Sequence, residues 1–209
     1  NTDGTSPGKD NALQAFGEYW ANRSYGTPAT EGVFSSWSYG DIEFWLLDDR
    51  YWRAIDNNVL GNAQTAWLEN ELLASSATFK FLVSGSQWTT EGSSDSWAAY
   101  PDAQTDLLDF ITDNDIEGVV LMSGDVHFSE MRLLPGGHMG YSLPELTSSP
   151  LANSLSSRDS SNEQVMYFAS EPSYIMVEVD TISSDPSVTA TLYDEIGGFV
   201  DSWQIFHSQ

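Results

Sequence analysis

Between residues 61 and 127 the apolar positions switch back and forth between helical and strand spacing. Trp67, Leu68 and Leu72 recur at helical intervals, which predicts a helix over 61–75 with Asn62 as its N-cap. Residues 79–84 are almost wholly apolar and predict a short strand covered on both faces. A polar loop over 87–100 carries Trp88 and Trp97. Pro101 then suits the first turn of a second helix, with Leu107, Leu108 and Ile111 on one face. Residues 118–122 form the next apolar run. Helix, strand, loop, helix, strand is the order of parallel α/β architecture.

The flanks read differently. Residues 1–9 are rich in Gly, Ser, Thr and Asp and predict a loop. Leu13, Phe16 and Trp20 place an amphipathic helix over 10–22. Residues 32–39 and 41–48 predict two strands joined by a tight turn at Tyr39-Gly40. Beyond His127 only strands are predicted, over 130–134, 139–146, 164–170, 173–180, 187–193 and 199–206, with a Ser-rich loop at 148–162. There is no internal repeat and no linker long enough to divide the chain, so residues 1–209 read as one domain or a large part of one.

Composition narrows the function classes. At 209 residues and 23.1 kDa the chain can bury one sizeable core, and 8 Trp, 9 Tyr and 10 Phe exclude a disordered chain. With 31 Asp plus Glu against 7 Lys plus Arg, the net charge is −24. Such a surface repels nucleic-acid backbones and anionic membranes, and it suits solubility in salty surroundings. The absence of cysteine excludes disulfides and thiolate sites. No window is apolar over the length that spans a bilayer. The chain starts at Asn1 without Met or a signal peptide, which predicts a processed chain, a fragment or a sequence cut at its start.

Candidate chemistry gathers behind the 118–122 run, at Gly124-Asp125-Val126-His127. Open α/β folds bind ligands at the carboxyl edge of their strands. An Asp and a His two residues apart in an extended segment project from the same face. One offers a hard carboxylate oxygen and the other an imidazole nitrogen, and both ligate metals. The plainer reading makes Asp125 a turn residue and His127 a hydrogen-bonded strand-end histidine. Arg50 and Arg53 stand out in a chain so poor in cations. A guanidinium there either grips phosphate bidentately or pairs with one of the many carboxylates. Gln87 and Trp88 end the 79–84 strand and either face a substrate or satisfy the loop. Trp97 and Tyr100 either line a cleft or pin the loop to the core. His138, in an expected hairpin, reads as solvated, and His207, near the terminus, carries no functional reading.

Five pieces in order carry a family resemblance. They are residues 38–53 (Ser-Tyr-Gly-Asp-Ile-Glu-Phe-Trp-Leu-Leu-Asp-Asp-Arg-Tyr-Trp-Arg), residues 60–68 (Leu-Gly-Asn-Ala-Gln-Thr-Ala-Trp-Leu), Ser96-Trp97 with Tyr100-Pro101, residues 120–127 (Val-Leu-Met-Ser-Gly-Asp-Val-His) and residues 145–150 (Glu-Leu-Thr-Ser-Ser-Pro). Together, over about residues 10–206, the chain resembles the PhoD-like alkaline phosphatases of the calcineurin-like metallophosphatase superfamily. The resemblance implies an α/β fold, a four-layer αββα sandwich, with a metal cluster at the strand ends that hydrolyses phosphate mono- or diesters. It makes Asp125 and His127 the metal ligands and catalytic residues, Asp125 standing where relatives of the wider superfamily carry the first His of Gly-His-x-His. It implies calcium and iron as the metals, Arg50, Gln87 and Trp88 as candidate substrate contacts, and a secreted or periplasmic location.

Three further metal motifs of that family are an early Asp, Gly-Asp-x-x-Tyr and Asp-Asp-His-Asp/Glu. All three lie ahead of the part that matches Asn1 to Lys9. The expectation is therefore a C-terminal portion whose partner is the missing N-terminal half of the same domain, inactive alone because two ligands cannot hold a dinuclear cluster. The rival is a non-enzymatic acidic domain, either a relic or a calcium- or glycan-binding module.

Overall fold

The computed structural model describes residues 3–55, 58–88, 94–134, 143–150, 152–156, 165–169 and 171–208. Its elements follow the periodicity closely. Helix α1 covers Lys9–Tyr19, and strands β1 (Ser35–Tyr39) and β2 (Ile42–Leu46) form a hairpin. Helix α2 (Asn62–Ala74), strand β3 (Phe79–Val83), helix α3 (Pro101–Asp113) and strand β4 (Val119–Ser123) come next. Strands β5 (Ser129–Leu134), β6 (Leu143–Thr147), β7 (Val165–Ala169), β8 (Ser173–Asp180), β9 (Ser187–Asp194) and β10 (Phe199–Phe206) complete the order.

Seven strands form one sheet in the order β1-β2-β3-β4-β6-β5-β7, and β10-β9-β8 form a second. In the large sheet β2, β3, β4, β6 and the edge strand β7 run in one direction, while β1 and β5 run against them. Side-chain alternation then splits the interior. Leu82, Val119 and Leu121 face Leu68 and Leu72 of α2 and Leu107 and Ile111 of α3. Phe79, Phe81 and Val120 point the other way, onto Val188, Ala190, Leu192 and Ile205 of the small sheet. The layers are thus helices, sheet, sheet. They are the helix layer and both sheets of an αββα sandwich.

Local departures have local causes. Helix α1 stops at Tyr19, short of residue 22, because Trp20 turns extended. Asn62 is not the N-cap of α2. Gly61 holds that place at φ 72°, with no side-chain cap bond, because a Cβ there would lie 2.7 Å from Trp52 Cβ. Helix α3 does open on Pro101, whose missing N–H costs nothing in a first turn. The strand expected over 139–146 is described only from Leu143. His138 and residues 151 and 157–162 of the Ser-rich loop lie outside the described residues.

Candidate active site

Because β2, β3, β4 and β6 are parallel, their carboxyl ends share one edge of the sheet. The segments leaving them there are 47–53, 84–88, 124–128 and 148–150. Asp125 and His127 stand at this edge behind β4. The segment is not the extended one expected from sequence. Asp125 has φ 68° and His127 φ 63°, and the Val126 N–H bonds the Gly124 carbonyl two residues back at 2.9 Å. That bond closes a γ-turn centred on Asp125 with positive φ, the rarer and strained form. The turn replaces extension because the strand has run out of ladder partners after Ser123, where β6 also ends its pairing.

The turn leaves the Asp125 side chain 54% exposed. The backbone of His127 is pinned on both sides, its N–H to Ser149 Oγ at 3.2 Å and its carbonyl to the Ser156 N–H at 3.1 Å. Its Nε2 lies 3.2 Å from Asn153 Nδ2. The Asn153 amide oxygen is engaged by the Ser154 N–H at 2.8 Å, which fixes the orientation of the amide. The NH2 group is then the donor in this contact, and Nε2 is engaged by Asn153.

Arg50 reaches the same edge from the loop behind β2. Its guanidinium holds Asp95 through two parallel bonds, 2.5 Å from Nη1 and 2.8 Å from Nη2. Nη2 lies 3.8 Å from Asp125 Oδ2 and 3.4 Å from Ser86 Oγ. Arg53, 3% exposed, is enclosed: it donates to the Asp49 carbonyl at 2.6 Å, to Ser86 Oγ at 2.8 Å and to the Asp95 carboxylate. Asp49 in turn accepts Ser84 Oγ at 2.9 Å and the Ser86 N–H at 2.7 Å, tying the β2 loop to the β3 loop. Burial works against the charges of both Arg50 and Asp95. Their mutual hydrogen bonds and the neighbouring charges outweigh it, raising the Arg50 pKa and holding Asp95 below the ordinary carboxylate value. Arg50 also lines an open cavity of about 340 Å³, shared with Leu13 and Phe16 of α1, so a solute can reach it.

Gln87 and Trp88, read from sequence as possible substrate contacts, lie inside. Gln87 Nε2 donates to Glu130 Oε1 at 2.8 Å and Thr147 Oγ1 at 3.0 Å. The Trp88 N–H donates to Glu145 Oε1 at 2.9 Å, and its ring stacks on Trp97 with centroids 4.3 Å apart. The two tryptophans fasten the 84–100 loop to the core, both 1% exposed. Sequence reasoning missed Asp95, which lies in a polar stretch where nothing sets one acid apart from many. It also missed Gln64 of α2, whose amide bonds both the N–H and the carbonyl of Asp48 at 2.8 Å. Among the described residues no three His, Asp or Glu cluster tightly enough to hold a metal by themselves.

The layering of helices on two packed sheets is that of a metallophosphatase-type sandwich. The family model described as PhoD-like phosphatase matches residues 1–181, and the chain belongs to that family. Alkaline phosphatase D of Bacillus subtilis (strain 168) is 27% identical over 147 residues, covering 56% of this chain and 25% of its own length. A solved structure of PhoD superposes with a TM-score of 0.64 at 19% identity, covering 94% of this chain and 48% of that one. Purple acid phosphatase PPD1 from yellow lupin (Lupinus luteus) seeds gives a TM-score of 0.63 at 14% identity, covering 83% and 32%. The chain thus spans about a quarter of the curated relative and about half of the PhoD chain.

Proposed function

We propose that this chain is part of a metal-dependent phosphoesterase and that Asp125 and His127 are two of its metal ligands. The observation that supports this best is the meeting of three groups at one sheet edge. An exposed carboxylate held out by a strained turn, an imidazole whose backbone is pinned at that edge, and the Arg50 guanidinium 3.8 Å from that carboxylate all lie there. The donor pair fits a metal ion in part. The carboxylate oxygen suits hard ions such as calcium or ferric iron, and the imidazole suits iron. Two donors do not complete a coordination shell, so the remaining ligands and the activity belong to the complete protein, and this chain alone is inactive. A metal ion bound there would polarise the phosphoryl group and lower the pKa of the attacking water.

The chain's own residues do the rest. Arg50 offers charge-assisted donors to phosphoryl oxygens and offsets their negative charge. Asn153 holds the His127 ring at this edge, and its Nδ2 would give way to a metal ion at Nε2. Gln87 and Trp88 act behind the edge, holding the β3 loop through Glu130, Thr147 and Glu145. Mono- and diesters both fit this chemistry, and the family's activity argues for an exported protein. In the complete protein, Asp125→Ala or His127→Ala should cut metal-dependent phosphate release at least about a hundredfold with the melting temperature little changed. Full activity in both variants would sink the reading and leave the acidic binding module in its place.

A further inference from the structure

The two arginines of the β2 loop have unlike surroundings, and the difference assigns them unlike work. Arg53 is bound to Asp49, Ser86 and Asp95 inside the protein, and at 3% side-chain exposure it is closed to any solute. Arg50 is 32% exposed and has one tight side and one loose side. The tight side is the bidentate grip on Asp95. The loose side is Nη2 toward Ser86 Oγ at 3.4 Å, a long bond, and toward Asp125 at 3.8 Å, beyond hydrogen-bond length. Asp95 itself is only 14% exposed, because Arg53 also clasps its carboxylate and reaches its backbone carbonyl at 3.5 Å.

Resting on the phosphoesterase reading above, we infer that Asp95, clasped by Arg53, is a positioning residue. It locks the Arg50 guanidinium with its Nη2 side turned to the Asp125 end of β4, so an incoming phosphoryl group meets a cation already oriented. An arginine on a free four-bond stem loses rotamer freedom each time it grips an anion. One whose plane is fixed by a second carboxylate has lost that freedom during folding, so ligand binding does not bear it again. The lock also explains why a chain with so few cations keeps two of them three residues apart beneath one carboxylate: one holds, the other presents.

The test is a double-mutant cycle in the complete, metal-loaded protein, read by calorimetric binding of inorganic phosphate and by steady-state kinetics. Asp95→Asn should weaken phosphate binding about tenfold and raise KM more than it lowers kcat. Arg50→Ala should weaken binding at least as much. The double variant should be no worse than Arg50→Ala alone, because Asp95 acts only through Arg50. Losses that multiply, or wild-type phosphate affinity in Asp95→Asn, would overturn the inference. Should Asp95→Asn fail to fold, Arg50→Lys keeps the charge and loses the paired bonds. A tenfold loss there supports the lock, and undiminished affinity overturns it. If the phosphoesterase reading itself is wrong, the unaltered protein neither binds nor releases phosphate, which sinks both. If only the lock is wrong, the unaltered protein binds phosphate and Asp95→Asn binds it equally well.

Discussion

Asp125 occupies a backbone conformation that costs an L-residue on the order of 1–3 kcal/mol. Its ion pair to Arg50, at 3.8 Å with more than half the side chain in solvent, returns little of that. Glycine would make the same γ-turn without strain, so the carboxylate is retained for something other than stability. Asp125→Gly should therefore leave the unfolding free energy from urea titration unchanged or raise it, by up to about 1 kcal/mol, while abolishing function in the complete protein. A marked fall would show instead that the carboxylate holds the fold. Asp95 makes the opposite case. Its pKa lies below the unfolded value of about 3.9, so its stabilisation is complete above that pH and is lost as pH falls through the folded value. The stability gap between the unaltered chain and Asp95→Asn should accordingly shrink below about pH 4. A gap constant from pH 2.5 to 6 would mean the charge is not what Arg50 and Arg53 recognise.

Among the elements, α2 carries the clearest division of labour. Gln64, Leu68 and Leu72 are its buried residues, spaced by four, with Gln64 tying the helix start to Asp48 behind β2. Leu68 is fully buried among Trp45, Leu82 and Leu121. Leu68→Ala should cost about 2–5 kcal/mol, measurable by denaturant titration, and a loss below about 1 kcal/mol would mean the helix is not packed as described. Elements of this kind were legible in the sequence because burial imposes a period. The runs at 61–75, 79–84 and 118–122 each became the element expected, shifted by a residue at the ends. The shifts have physical reasons. Gly118 was read into β4, but it is the turn itself, at φ 69°, where a Cβ would stand 2.0 Å from the Thr78 carbonyl oxygen. What periodicity could not show were groups whose meaning depends on a distant partner. Asp95 is one acid among 31 until Arg50 and Arg53 are folded against it. The positive φ of Asp125 and His127 likewise lies outside any hydrophobic pattern. The Asp–His pair was nevertheless visible, because it follows a buried strand that must end at a carboxyl edge.

At the scale of the whole molecule the governing quantity is the charge. A net −24 spread over 10855 Å² of accessible surface is one uncompensated charge per roughly 450 Å². Neighbouring net charges then stand about 20 Å apart. The Debye length is about 30 Å at 0.01 M salt and about 8 Å at 0.15 M. At the lower concentration each charge repels several others, and at the higher one almost none. The unfolded chain is more expanded and spreads the same charges further, so repulsion weighs more on the folded state. Arg50, Arg53 and Arg132 do not relieve it, since they are already committed to Asp95, Asp49 and Glu130. Melting temperature should therefore climb steeply between 0.01 and about 0.15 M of a monovalent salt and flatten beyond, with sodium and tetramethylammonium chlorides giving the same curve. A flat profile would mean that the folded chain's carboxylates are largely neutral or compensated. A rise specific to sodium would point to a bound ion rather than to screening.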